Sequence, residues 1–302
     1  MTTAHIPTDE ERRQFVRYTH TPRWPMLQRF PVAGDLHDEL LAQMMACTPE
    51  TARKIIEILT AETRDTAERM IADHRYSTAI RALPFRPGDR IVAVGDSITA
   101  DRLGWFELLS ATARLTGTPT GEMVNLGVSG NTTADVLERF DLLESAQPSH
   151  VLLMLGTNDV RSHGRTGGYR MVTATETARN MRALIDLIGN SLGAVITVIT
   201  PPAVDQRRID TFFADAPVHW RAADIAEVAA VVREVEPGGL DLHGLTRLHP
   251  NGDILEADGV HPTPAGQRLI LTHVVDHLVA AASRPPTVVA RRTTTGDHRT
   301  RR

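Results

Sequence analysis

The stretch that decides the fold is IVAVGDSITADRLGW, from Ile91 to Trp105. A short apolar run leads into Gly95-Asp96-Ser97, and a polar, helix-like segment follows. A loop has no need of a serine at the end of a buried strand. A nucleophile does, because a hydroxyl at a strand–helix junction stays exposed at the sheet edge beside helical N–H groups. A plain structural alternative stands next to this: Ser97 caps the helix, a task that Thr99 or Asp101 would do equally well.

Moving outward, the chain alternates strand and helix from about residue 90. The runs at 90–95, 122–127, 150–156 and 194–200 read as strands, with a weaker fifth at 239–244. Helical patterns lie between and after them, near 103–116, 132–145, 174–190, 221–234 and 264–282. This alternation predicts an α/β fold, a parallel sheet with helices on both faces, and ligands then bind at the carboxyl ends of the strands.

The strand ends are therefore worth reading. The second strand runs into NLGVSGNTTADV (125–136), where Gly127 and Gly130 let backbone N–H groups approach a ligand closely, as an oxyanion hole requires. An ordinary glycine turn reads the same way. Ser129 is a rival nucleophile there, but G-x-S-x-G fails because Asn131 stands where the second glycine belongs. The third strand ends in LGTNDV (155–160), whose Asn158 amide is suited to donate to a developing oxyanion, or simply to make a turn. Last, EADGVHPTPAGQRLI (256–270) sets Asp258 three residues before His261. That pair is a base with its orienting acid, a partial metal site, or a surface turn before a helix. No further His, Cys or Asp stands at metal-ligand spacing.

Each signal is modest alone. Together, and in this order, they resemble the SGNH (GDSL-type) hydrolase family: GDSIT matches its first block, NLGVSGNTT its second, LGTNDV its third and DGVHPTPAG its last. The resemblance covers about residues 90–283. It implies a three-layer α/β/α flavodoxin-like fold and a serine esterase with neither metal nor organic cofactor. It implies Ser97 as nucleophile, His261 as base and Asp258 as its orienter. Gly130, Asn158 and the Ser97 amide are then the oxyanion donors, and the partner is a small-molecule ester. An acyltransferase or thioesterase would use the same residues, and a non-catalytic binding protein on this fold is the reading from another class.

Nothing in that family's core accounts for residues 1–88, which read as a helical extension. Thr48 and Pro49 are the N-cap and first position of a helix whose apolar face includes Ile55, Ile56, Leu59, Met70 and Ile71. A shorter helix, DLHDELLAQMMA (35–46), precedes it. These faces are expected to bury against the main domain, or against a second copy in a homo-oligomer. LPFRPGD (83–89) reads as the linker to a hydrolase domain at 89–283. The tail 284–302, with six Arg and one Asp, reads as disordered.

Other candidates are less sharply marked. His163 and Arg165, in the Gly-rich polar stretch VRSHGRTGGYR, are candidates for meeting a polar or anionic substrate. Phe212, Phe213 and Trp220, in the long connection after the fourth strand, are candidates for an acyl pocket or for packing beneath the loop.

Composition narrows the class. The 302 residues are 41% hydrophobic, enough for a sizeable core, and the net charge of −4 argues against a general nucleic-acid binder. Only one of the 33 basic residues is a lysine, Lys54, as codon bias in a GC-rich genome would give. The single cysteine, Cys47, rules out an intrachain disulfide, and no apolar run reaches membrane-spanning length. A cytoplasmic protein without stable membrane insertion is the expectation.

Overall fold

The computed structural model describes residues 6–164, 168–249 and 254–283. The tail at 284–302, read above as disordered, lies outside them, as does Arg165. Strands β1 (Arg90–Gly95), β2 (Glu122–Asn125) and β3 (His150–Met154) belong to the central sheet. Two-residue strands β4 (Ser162–His163) and β5 (Tyr169–Arg170) follow, then β6 (Val195–Ile199) and β7 (Val218–His219). The central sheet is wholly parallel, in the order β2-β1-β3-β6. The strand order reverses between β1 and β3, and the crevice outside their carboxyl ends is where an open α/β sheet binds ligands.

The extension supplies α1 (Asp9–Tyr18), α2 (Pro25–Arg29), α3 (Gly34–Met44), α4 (Pro49–Ile71) and α5 (His74–Arg81). From β1 onward come α6 (Ser97–Ala100), α7 (Trp105–Thr116), α8 (Thr133–Glu138), α9 (Phe140–Ser145) and α10 (Ala174–Asp186). The last are α11 (Gln206–Phe212), α12 (Ala222–Val235), α13 (Leu242–Arg247) and α14 (Pro264–Ala282).

Alternation along the strands builds two cores. Ile91, Ala93, Leu152 and Met154 face α5, α7 and α14 through Ile80, Trp105, Leu109 and Val274. Val92, Val94, Val151 and Leu153 face the other way, onto Val136, Met181, Leu184 and Val228. This is a three-layer α/β/α arrangement, with the N-terminal helices added to it. Thr48 caps α4 by accepting from the Thr51 N–H, and Pro49 occupies the first turn.

Two details depart from the sequence reading. The fifth strand is reduced to a single parallel bridge, Ile199 to Leu240. The reason is local: the Asp241 side chain accepts from the Gly244 N–H and starts α13, so the chain turns helical after one bridge. The 132–145 pattern is two helices that break at Arg139, whose buried guanidinium donates to Asn131 Oδ1 and the Leu126 carbonyl.

The extension packs onto the sheet domain instead of standing apart from it. α4 lies along α7. Leu83 and Phe85, in the connection before β1, are buried in the same core as Ile91. A third small core joins Val16, Leu41, Met45 and Leu59 to Leu103. Among the described residues no helix is long and apolar enough to cross a membrane.

Candidate active site

The site begins where β1 stops. Gly95 is required by crowding, since a Cβ there would meet the Thr99 hydroxyl and, at 2.8 Å, the Met154 carbonyl. Asp96 is the N-cap of α6, and its Oδ1 accepts from the Ile98 N–H at 2.9 Å. The capping task therefore falls to Asp96, and the Ser97 hydroxyl is left for other work. Ser97 is the first residue of α6, and N–H groups in a helix's first turn have no intrahelical acceptor. The Ser97 Oγ lies 2.9 Å from His261 Nε2.

His261 is held by a tight turn. Asp258 Oδ1 accepts from the Val260 N–H at 2.8 Å and the His261 N–H at 2.9 Å. Its Oδ2 stands 2.6 Å from His261 Nδ1. An ionised carboxylate only accepts, so Nδ1 carries the proton and Nε2 presents its lone pair to Ser97. Burial alone would depress the His261 pKa. The Asp258 hydrogen bond, its charge and the charges of Asp96 and Asp101 outweigh burial and raise it above the ordinary value. Burial pushes Asp258 upward, but the His261 ring and the two backbone N–H groups hold it below the usual carboxylate range. Asp96, fully buried, is pushed up to about 6 by desolvation.

Two turns close the other side. Gly130 has φ +83°, a conformation that favours glycine and that lets its N–H face a ligand without a side chain in the way. The Asn158 amide donates one hydrogen to the Asn131 carbonyl at 3.3 Å, which leaves its second hydrogen for a ligand. Asp159 ties these turns together from beneath. It accepts from the Thr133 N–H, the Thr133 hydroxyl and the Thr177 hydroxyl. The β1, β2 and β3 ends thus bring Ser97, Gly130 and Asn158 to one crevice, with the loop before α14 adding Asp258 and His261.

Of the remaining candidates, Ser129 is exposed and its hydroxyl donates to the Tyr18 carbonyl at 2.6 Å. No base adjoins it in that bond. His163 is exposed on β4. Trp220 is buried, and its Nε1 donates to the Thr157 carbonyl at 3.1 Å, one residue before Asn158. Phe213 packs on Trp220 with ring centroids 5.0 Å apart. These two rings lie in the core on the α10–α12 face and support the Asn158 turn from below.

Three residues at the site carry no motif. The Tyr18 ring, from the end of α1, meets the His261 ring. Arg17 donates to both oxygens of buried Asp101, to Glu256 and to the Pro262 carbonyl next to His261. Arg161 follows the Asn158 turn, and its Nη1 lies near Gly130. The stretch RQFVRYTH has no signature that would have marked the first two, because their partners are remote in sequence. Among the described residues no three His, Cys, Asp or Glu side chains cluster closely enough to hold a metal ion.

A family model for the GDSL-like lipase/acylhydrolase family matches residues 93–269. Among solved structures, LAE5, an alpha/beta hydrolase enzyme from the metagenome of Lake Arreo, Spain, is 24% identical, with a TM-score of 0.51. The match covers 64% of this chain and 96% of that one, and shows a shared fold. TesA is similar at 25% identity and a TM-score of 0.47, over 63% of this chain and 98% of its own. A variant of Axe2, an acetyl xylan esterase from Geobacillus stearothermophilus, is 19% identical with a TM-score of 0.49, over 64% and 96%. No curated protein sequence matches the chain.

Proposed function

The chain belongs to the GDSL-like lipase/acylhydrolase family, and from that premise we propose that it cleaves a carboxylic ester through an acyl-enzyme on Ser97. The observation that carries the reading is the hydrogen-bond chain Ser97–His261–Asp258, at 2.9 Å and 2.6 Å. A serine hydroxyl is a weak nucleophile until an adjacent base takes its proton.

The reaction then runs in two halves. His261 Nε2 takes the Ser97 proton as Oγ bonds to the acyl carbon, and the carbonyl electron pair moves onto oxygen. The N–H groups of Ser97 and Gly130 and the Asn158 amide stabilise that oxyanion. Asp258 stays ionised and stabilises the imidazolium. The intermediate collapses, the carbon–oxygen bond to the alcohol breaks, and His261 returns the proton to the leaving alkoxide. Water repeats the sequence on the acyl-enzyme, giving the acid and free Ser97.

The test is hydrolysis of a p-nitrophenyl ester series, acetate to palmitate, by the wild-type chain and Ser97→Ala. Activity in the wild type and its loss in the variant support the reading, and the preferred chain length sizes the acyl site. Equal rates in both proteins contradict it.

A further inference from the structure

The segment after Asn158 carries a cation that has no partner among the described residues. The backbone of Arg161 is pinned at both groups: its N–H donates to the Asn158 carbonyl at 3.2 Å, and its carbonyl accepts from the Met171 N–H at 3.0 Å. The side chain then crosses to the β2 turn, where Nη1 lies 3.5 Å from the position a Cβ on Gly130 would take. Nε is sealed from water without an acceptor. Among the described residues the guanidinium has neither a hydrogen-bond acceptor nor a carboxylate partner. Arg170, on β5 of the small sheet that starts after Arg161, is by contrast paired with Glu227 and Asp224.

Along the sequence this segment has one sign of charge. Between Asp159 and Glu176 the chain has no acidic residue, but it has Arg161, His163, Arg165 and Arg170. Placing a half-enclosed guanidinium there without a counter-charge costs stability unless a ligand completes it. Its planar fork matches a carboxylate in a two-point hydrogen bond. Its location, against the Gly130 turn and hydrogen-bonded to the Asn158 carbonyl, is beside two of the candidate oxyanion donors.

Resting on the ester-hydrolase reading, we propose that Arg161 is a specificity residue that binds a carboxylate carried by the substrate beside the scissile ester. The natural substrates are then half-esters of dicarboxylic acids, or esters whose alcohol bears a carboxylate.

The experiment uses the full chain and two matched ester pairs. Monophenyl succinate against phenyl isocaproate puts the charge on the acyl side. Para-acetoxybenzoate against para-isopropylphenyl acetate puts it on the alcohol side. Binding is measured by calorimetry on Ser97→Ala, which needs no turnover. At least one charged ester is expected to bind about ten- to a hundredfold more tightly than its neutral mate, the range for charge-assisted hydrogen bonds. Adding Arg161→Ala should abolish that preference, and Arg161→Lys, a point charge without the fork, should keep part of it. Equal binding within both pairs, or a preference that survives Arg161→Ala, overturns the proposal. Hydrolysis by the wild-type chain is scored separately. A chain that hydrolyses neutral and charged esters alike, with equal binding, loses the Arg161 role and keeps the hydrolase reading. Arg161-dependent binding without any Ser97-dependent hydrolysis supports the subsite and contradicts the hydrolase reading.

Discussion

The Tyr18 ring lies 4.9 Å from the His261 ring, centroid to centroid, with the planes inclined by 46°. The extension outside the family's matched segment thus touches the residue that would act as base. The contact is fastened around its edges. Arg102 donates to the Val16 and Thr19 carbonyls and its N–H to the Arg17 carbonyl. Ser129, next to Gly130, donates to the Tyr18 carbonyl. His20 bonds the Ala100 carbonyl at the end of α6. Residues 16–20 are therefore a strap across the crevice, fixed to the ends of both β1 and β2.

Tyr18→Ala should lower kcat/KM for any hydrolysed ester about tenfold, because His261 loses the surface that fixes its ring. Tyr18→Phe should keep most of the activity. The Tyr18 hydroxyl is sealed from water and has no hydrogen-bond partner among the described residues, so removing it breaks no bond. The check is steady-state kinetics on both variants. Equal losses in both would show that the hydroxyl matters and the ring contact alone does not.

Arg17→Ala should cost stability as well as activity. Arg17 is 5% exposed and Asp101 is fully buried, so the variant leaves a carboxylate without its counter-charge. Breaking one partner of such a pair costs about 3–5 kcal/mol. Denaturant unfolding measures it; Arg17→Ala combined with Asp101→Asn should recover part of the loss.

The pH dependence has a fixed sign. His261 must be neutral to accept the Ser97 proton, and its pKa is raised above the ordinary histidine value of about 6.5. The acid limb of kcat/KM should therefore fall above that value, with activity rising as pH increases through it. Asp258→Asn removes the hydrogen bond and charge that raise the pKa, so the limb should move down. The same change should lower kcat by roughly 10⁴, the loss known for this substitution in a serine triad. An unchanged limb in that variant would separate Asp258 from His261.

The strap should loosen in acid. Burial, with Arg23 and Arg102 adding to it, lowers the His20 pKa to about 2. A group depressed in the folded state contributes stability above its ordinary pKa of about 6.5 and loses it as pH falls, by about 1.4 kcal/mol per unit. At pH 5 the loss from His20 alone is roughly 2 kcal/mol. Unfolding free energies at pH 7 and pH 5 should therefore diverge less in His20→Gln than in the wild type.

The fold was legible because strand residues alternate faces and end at glycines: Val92 and Val94 serve one core, Ile91 and Ala93 the other. Serial motif blocks at those ends were legible for the same reason, since a parallel sheet gathers every strand's carboxyl end on one side. Leu240 shows the limit of local reading, because one capping side chain, Asp241, turned a strand pattern into a helix. Strands β4, β5 and β7, at two residues each, are too short for any period to register. Arg17 and Tyr18 were not legible at all. Their partners Asp101, Glu256 and His261 are set by how α1 packs, and a single sequence does not report that contact.

The role of Ser97 is tested most directly by peptide mapping after treatment with a fluorophosphonate, which bonds to an activated hydroxyl. One adduct per chain is expected, on Ser97, and it should be lost in His261→Ala. Adduct on Ser129, or none on any serine of the folded chain, would contradict it.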